Sequence, residues 1–207
     1  MAVQLVLFDI NEAMVDAWSE AFLEGLWHSE HVEIRMAPLE DIDDCQTLIL
    51  PGNSYGIMDD GLEGSAKKLL GDEVEETLQG IIHAYFLGEM QVGQAIPMNF
   101  EPDDPSPFET LIYAPTARIP SLIRNSQNAY LSTLAALQVL NANLIKMDEE
   151  QDYKVAISGM GAGHGKMLPE YVASQMKAAW DMFLNPELPK GFREAAKRKF
   201  IMGGFDH

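Results

Sequence analysis

The sequence of 207 residues predicts an α/β fold, in which a mostly parallel sheet lies between layers of helices. Short apolar runs alternate with segments of helical periodicity almost throughout, and this alternation is typical of parallel strands joined by helical crossovers. Residues 47–50 are apolar on both faces, as a central strand requires. Hydrophobic residues make up 47% of the chain and charged residues 22%, which is enough for a core without covalent staples.

The elements can be placed in order from their periodicity and their bounding residues. Residues 98–108 contain too many prolines for regular structure and form an acidic loop, Pro115 closes a strand, and Pro169 opens a helix. The predicted strands are 3–8, 32–36, 47–50, 93–97, 111–114 and 155–158, and the predicted helices are 14–26, 62–70, 74–86, 123–137, 169–183 and a short one at 190–200.

The net charge excludes several classes of partner. Lys and Arg number 14 against 32 Asp and Glu, so the formal charge is −18. Because nucleic acids and anionic membranes are bound through Lys and Arg, we expect neither as a partner. The basic residues concentrate near the C-terminus, and we expect a helical tail at 185–207 lying against an acidic domain at 1–184.

Cysteine usage and hydropathy indicate the compartment. The single cysteine, Cys45, cannot form a disulfide within the chain, which suits a reducing environment. No apolar run approaches the roughly 20 residues of a membrane span, and no basic leader precedes the first strand. We therefore expect a cytoplasmic protein. The histidines show no ligand-like spacing with Cys45 or with carboxylates, so neither a metal nor a cofactor is predicted.

A glycine-rich loop follows the strand at 155–158. Glycine lets the backbone approach a ligand closely, and successive amides beside a helix N-terminus bind anions, so we predict a phosphate or diphosphate here. A flexible surface turn is the alternative. Neither standard nucleotide motif fits, because Met160 and Met167 break a P-loop pattern and His164 breaks a dinucleotide-binding one. The alternating glycines are Gly159, Gly161, Gly163 and Gly165.

A second loop, residues 51–64, follows the central strand. Asn53 stands just past the strand, where a side-chain amide can bind a sugar hydroxyl or orient water; alternatively, Asn simply tolerates the turn. Gly61 opens the next helix and leaves its first amides free for an anion. Because ligands of open α/β sheets bind outside the carboxyl ends of the strands, the two loops are expected to form one site.

These segments together resemble a macro domain, the ADP-ribose-binding module. Residues 39–42, Leu-Glu-Asp-Ile, are similar to the family's Gly-Asp-Ile-Thr segment. This likeness implies that Asp41 reads the adenine amino group and that Ile42 lies beside the ring. Residues 50–54 resemble Asn-Ala-Ala-Asn-Ser, so Asn53 takes the place of the asparagine that holds the distal ribose.

The resemblance extends over roughly residues 3–184. Residues 93–95 and 111–115 resemble the family's Gly-x-Ala strand and the strand after it, and residues 162–165 match the loop that wraps the diphosphate and distal ribose. The likeness implies a three-layer α/β/α sandwich on a mixed, mostly parallel sheet. It also implies ligand contacts from Gly61 and from the last strand and its loop, namely Ser158, Gly159, Gly161, Ala162, Gly163, His164 and Gly165.

The implied ligand is ADP-ribose or a derivative, such as its 1″-phosphate or an ADP-ribosylated protein. The implied activity is an ADP-ribose 1″-phosphate phosphatase or an ADP-ribosyl hydrolase. Met58, Asp59 and Asp60 replace the family's glycine run, and Glu63 stands where hydrolytic members carry Asp. Glu63 or Asp59 is the candidate base, with Asn53 fixing the ribose. The alternatives are a non-catalytic ADP-ribose reader and a protein-interaction module that has lost the ligand.

Overall fold

The computed structural model describes residues 3–23, 31–145 and 152–191. The helix predicted at 190–200 lies outside these ranges from residue 192 onward, as does most of the predicted tail at 185–207. The C-terminal end of the helix predicted at 14–26 also lies outside them. The division into a domain and a tail therefore stays a prediction.

The described chain contains six strands and five α-helices. The strands are β1 Val3–Asp9, β2 Val32–Met36, β3 Thr47–Asn53, β4 Ile96–Asn99, β5 Thr110–Ala117 and β6 Tyr153–Ile157. The helices are α1 Glu12–Leu23, α2 Gly61–Leu70, α3 Glu73–Phe86, α4 Asn128–Leu144 and α5 Pro169–Leu184, and a 3₁₀ helix lies at Leu39–Asp41.

The sheet is mixed and mostly parallel, as predicted. Its strand order is β2-β1-β6-β3-β5-β4, and only β4 runs antiparallel to its neighbour. The described helices cover both faces of the sheet. Helices α1, α4 and α5 pack on one apolar cluster, and α2 and α3 pack on the other. The three-layer α/β/α prediction is therefore confirmed.

Several predicted boundaries are wrong. Strand β3 continues through Pro51, so Asn53 is its last residue rather than a residue just past it, and α4 ends at Leu144 rather than at 137. Three other boundaries differ for a local reason. Pro115 does not close β5, which continues to Ala117. Strand β4 pairs with β5 only as far as Tyr113. At Pro115, β5 has no partner on the β4 side, so the amide hydrogen that proline lacks is not needed there. Strand β4 begins at Ile96 rather than at 93. Ile123 is not part of α4, because it packs against the glycine loop instead.

The topology brings several loops to one edge of the sheet. Strands β1, β3, β5 and β6 are all parallel, so their carboxyl ends meet there. The segments that follow these ends are the two loops singled out from the sequence, together with the turns after β1 and β5. No helix of the described residues combines the length and apolar character that crossing a membrane requires.

Candidate functional site

A cavity of about 690 Å³ opens at this edge of the sheet. A volume of this size is typical of small-molecule sites. Its walls come from residues within segments 8–11, 37–40, 51–53, 60–65, 116–121 and 158–166. The cavity therefore lies between the two loops predicted from the sequence, with the ends of β1, β3, β5 and β6 as its floor.

The glycines of the 159–165 loop meet different steric demands. Gly161 has a φ of 81°, in the left-handed region that favours glycine. A Cβ on Gly165 would lie 2.4 Å from the carbonyl oxygen of Gly161, and a Cβ on Gly159 would meet Asp9 Oδ2 at 3.1 Å. Gly163 has open space around it. The loop is thus a compact turn that a side chain at 165 would disrupt.

Ile123 fixes the outer side of this loop. Its N–H donates to the carbonyl oxygen of Gly165 at 2.9 Å, and its side chain fills the space beside Gly161 and Gly165. The loop then turns into α5 through Lys166, which lines the cavity in a left-handed conformation, with a φ of 51°. Left-handed non-glycine residues are uncommon and often mark functional sites.

Ser158, at the end of β6, has an unsatisfied hydroxyl group. The residue is buried and belongs to the cavity wall, yet none of the residues that the structure describes forms a hydrogen bond with its Oγ. Leaving a buried hydroxyl without a partner is costly, and such groups are rare in folded proteins. A ligand in the cavity would supply a partner.

Asn53 organises the loop after β3. Its Nδ2 donates to the carbonyl oxygen of Ile57 at 2.7 Å and to Glu63 Oε1 at 2.9 Å. Its Oδ1 accepts from the amides of Tyr55 at 3.1 Å and Ile57 at 3.3 Å. Both Nδ2 hydrogens therefore have acceptors within the chain, and a ribose hydroxyl could be held by Nδ2 only in place of one of them.

Glu63 lies in the first turn of α2 and forms part of the cavity wall. Its Oε1 accepts hydrogen bonds from Asn53 Nδ2 and from the Tyr113 hydroxyl, which is 3.0 Å away. No hydrogen bond from the described residues reaches Oε2, so this oxygen remains available to a water or a ligand. Asn53, Glu63 and Tyr113 form a polar cluster at the floor of the cavity.

Burial raises the pKa of Glu63 from its usual 4.5 to about 7. Removing the carboxylate from water disfavours its charged form, and the negative charge of Asp60 adds to this effect. The hydrogen bonds from Tyr113 and Asn53 act in the opposite direction, because they stabilise the charge. A carboxyl with a pKa near neutrality can both accept and release a proton at physiological pH.

Two contacts of acidic side chains lie above this cluster. Glu75 of α3 accepts from the Met58 amide at 3.0 Å and pairs with Lys67 of α2. Asp60 faces the opposite loop, and its Oδ2 lies 3.7 Å from Nε2 of His164. Both of these side chains are mostly exposed, so the contact adds little stability, but it spans the mouth of the cavity.

The structure brings together most of the predicted site residues. The residues that line the cavity are Asn53, Gly61, Glu63, Ser158, Gly159, Gly161, Ala162, Gly163, His164 and Gly165. Three predicted residues are not among the lining. Ile42 is fully buried in the core, whereas Asp41 and Asp59 are exposed to solvent. In the 3₁₀ helix, Glu40 lines the cavity and Asp41 does not.

Sequence reasoning missed three residues of the site. Tyr113 lies within a strand, and its contact with Glu63 follows from the pairing of β3 with β5, which no local pattern reveals. Asp9 could have been found from its place at the end of the first strand. Lys166 directly follows the glycine loop and lines the cavity. A cation next to a predicted diphosphate site could have been recognised from the sequence as a candidate ligand contact.

Comparison with known proteins identifies the architecture. No protein-family model matches the chain. An uncharacterized protein of Aquifex aeolicus (strain VF5) is 29% identical over 133 residues, covering 64% of this chain and 71% of that protein. The macrodomain of Mycobacterium tuberculosis DarG aligns with a TM-score of 0.54 at 17% identity, covering 67% of this chain and 83% of its own.

Two further solved structures of similar fold hold a ligand. The Oceanobacillus iheyensis macrodomain with ADP aligns with a TM-score of 0.59 at 12% identity, covering 73% of this chain and 75% of its own. Thermosipho africanus DarTG in complex with ADP-ribose aligns with a TM-score of 0.50 at 16% identity, covering 69% and 36% respectively. The chain has the macrodomain fold, as the resemblance in its sequence implied.

Proposed function

We propose that the chain binds ADP-ribose or an ADP-ribosyl derivative in the cavity and hydrolyses a bond at its distal ribose. One observation carries this proposal: the glycine loop and the start of α2 face each other across a cavity whose floor holds a largely buried carboxyl, Glu63, near neutral pKa. The macrodomain fold supports the choice of ligand, because similar structures contain ADP and ADP-ribose.

The diphosphate would lie between the two loops. The loop at 159–165 and the first turn of α2 line the cavity, and we expect their free amides to supply partial positive charge to it; the amide of Ala162 already donates to the carbonyl oxygen of Gly159. Lys166 adds a cation to the same wall. Because the proposed site would bind phosphate mainly through backbone amides, the net charge of −18 is compatible with a small anionic ligand.

The adenine would lie toward the end of β1. Phe8, Ile10 and Pro38 supply apolar surface to this part of the wall, and Ile10 is largely exposed there. Glu40 lies beside them and offers a carboxylate that can accept from the adenine amino group. Glu40 therefore replaces Asp41 as the candidate for binding the adenine amino group. The residues predicted to bind the diphosphate need no such replacement, because they line the cavity.

The reaction needs a base beside the distal ribose, and we assign this role to Glu63 Oε2. The carboxylate accepts a proton from a water whose oxygen forms the new bond to C1″ of the ribose. The bond from C1″ to the leaving oxygen breaks with its electron pair on that oxygen, which receives the proton back from Glu63. Positioning by the loops and charge stabilisation by their amides supply the remaining catalysis.

A non-catalytic reader is the second candidate, and the contacts of Asn53 favour it. The Nδ2 hydrogens of Asn53 already have acceptors in Ile57 and Glu63, so the amide contributes to loop order rather than to an open ribose contact. In that case the same cavity would bind ADP-ribose, and Glu63 would serve as a structural acceptor.

The test combines calorimetry with two turnover assays. We expect ADP-ribose to bind with micromolar affinity and the chain to hydrolyse ADP-ribose 1″-phosphate or to release ADP-ribose from a modified protein. The variant Glu63→Gln keeps the side-chain volume and should abolish turnover with little loss of affinity. Binding without turnover would leave the reader function, and no binding heat at millimolar ADP-ribose would refute both.

A further inference from the structure

The hydroxyl group of Tyr113 is the centre of the polar cluster below the cavity. Tyr113 lies in the middle of β5 and is fully buried. Its ring lies against Gly52 of β3 so closely that a Cβ on Gly52 would fall 2.0 Å from the hydroxyl oxygen. The glycine thus makes room for the tyrosine to reach the end of β3 and the first turn of α2.

The single hydroxyl hydrogen of Tyr113 has two acceptors within reach. The Asn53 amide donates to the hydroxyl oxygen at 2.7 Å, so that oxygen already accepts one bond. The hydrogen can be donated to the Asn53 carbonyl oxygen at 2.9 Å or to Glu63 Oε1 at 3.0 Å. Since a carboxylate is a stronger acceptor than a carbonyl, ionisation of Glu63 favours the bond to Oε1.

We propose that Tyr113 is a positioning residue for the hydrolytic step, holding Oε1 of ionised Glu63 against the floor of the cavity so that Oε2 faces the attacking water. Asn53 Nδ2 holds the same oxygen from the side of β3. Because two donors hold Oε1, the carboxyl group of Glu63 cannot rotate freely. Its other oxygen, Oε2, therefore points in one fixed direction. This inference rests on the proposed hydrolysis.

The charges around Glu63 explain why this donor is important. Asp60, before the first turn of α2, is the nearby charge that acts on Glu63, and it disfavours the carboxylate. The negative charge of Glu75 on α3 raises the pKa of Tyr113. Stabilisation of ionised Glu63 comes from the hydrogen bonds of Tyr113 and Asn53. Removal of the Tyr113 hydroxyl should therefore raise the pKa of Glu63.

The test is the variant Tyr113→Phe, with Tyr153→Phe as its matched control. Tyr153 is also buried, and its hydroxyl pairs with Thr47 Oγ1 at 2.7 Å near the start of β6, away from the cavity. Both variants lose one buried hydroxyl. The Glu63 carboxyl is followed by ¹³C NMR titration in each protein, and kcat and KM are measured across pH 5–9 with ADP-ribose 1″-phosphate and with the ADP-ribosylated protein.

In Tyr113→Phe we expect the Glu63 titration and the acidic limb of the rate profile to move upward by about one pH unit. We expect kcat at pH 7 to fall about tenfold or more, with KM changed less than about twofold. Tyr153→Phe should leave all of these quantities unchanged. If Tyr113→Phe does not fold, 3-fluorotyrosine at position 113, a stronger donor of nearly the same shape, should move the Glu63 titration downward.

The outcomes separate this proposal from the one on which it rests. Absence of turnover in the unmodified chain refutes hydrolysis, and with it the part of Tyr113 in that step. An active Tyr113→Phe variant with an unchanged Glu63 titration and rate profile refutes the role of Tyr113 alone. An unmoved titration with 3-fluorotyrosine does the same.

Discussion

Replacing Glu63 with Gln should make the chain more stable at alkaline pH and leave its stability nearly unchanged at acid pH. The amide that replaces the carboxyl keeps an oxygen acceptor for Asn53 Nδ2 and the Tyr113 hydroxyl, so the polar cluster is preserved. The substitution removes only the charge. It therefore isolates the free-energy cost of ionising a carboxyl group that the fold has buried.

The magnitude follows from the pKa of Glu63, which rises from 4.5 to about 7 on folding. At about 1.4 kcal/mol for each pH unit, the full cost of the ionised form is about 3 kcal/mol. The pKa of Glu63 is higher in the folded chain than in the unfolded chain. The unmodified chain therefore has its full stability below pH 4.5 and loses about 3 kcal/mol of it as the pH rises through 7. About 2.5 kcal/mol of the change falls between pH 5 and pH 8.5.

The assay is urea unfolding of both proteins at pH 5 and pH 8.5, at one ionic strength, followed by tryptophan fluorescence and circular dichroism. Glu75→Gln is the control, because the pair with Lys67 lowers the pKa of Glu75 and keeps it ionised in this range. Its effect on the free energy of unfolding should differ between the two pH values by less than about 0.3 kcal/mol.

The reasoning fails if the stability difference between Glu63→Gln and the unmodified chain is the same at both pH values. Such a result would mean that water reaches the carboxylate in the folded chain. A difference that grows at acid pH instead would mean that the hydrogen bonds from Tyr113 and Asn53 outweigh burial, and Glu63 could then no longer be assigned a neutral pKa.

Three further substitutions probe the phosphate-binding side of the cavity. Gly165→Ala should lower the free energy of unfolding by about 2 kcal/mol and abolish ADP-ribose binding, because its Cβ meets a backbone oxygen, whereas Gly163→Ala should be neutral in unfolding assays. Ser158→Ala should leave stability equal or slightly higher and weaken ADP-ribose binding about fivefold by calorimetry, since no described residue satisfies its hydroxyl and a bound ligand would; equal affinity would remove Ser158 from the site. Lys166→Ala should weaken binding about tenfold and reduce its salt dependence, and Lys68→Ala, an exposed lysine outside the cavity wall, should change neither.

The order of the elements could be predicted from the sequence because their periodicity is strong. The apolar residues of α3 recur at helical spacing and predicted its bounds to within one residue. The end of β5 could not be predicted, because whether a proline is tolerated depends on which neighbour pairs with it. Ile123 fits the helical stripe of α4, and only its contact with Gly165 shows that it belongs to the loop.

The candidate site divides in the same way. The loop at 159–165 was recognisable because glycine at alternate positions after a buried strand has few other uses, and the loop at 51–64 was recognisable from Asn53 and Gly61 beside the central strand. The partners of Glu63 were not recognisable, since Tyr113 is 50 residues away in the chain and reaches it only through the pairing of β3 with β5. The choice of Glu40 over Asp41 depends on the direction of side chains in a 3₁₀ helix of three residues, which no spacing encodes.

The contact between Gly52 and Tyr113 has an evolutionary consequence. The two residues fill one shared volume, because the tyrosine hydroxyl occupies the space where a side chain at position 52 would begin. Large changes at the two positions are coupled: a side chain at 52 requires a residue smaller than Phe at 113, and a residue that small at 113 leaves a void beside Gly52. Homologues that differ at one position should therefore differ at the other, and those with both changed would have to hold the carboxyl of α2 by another donor.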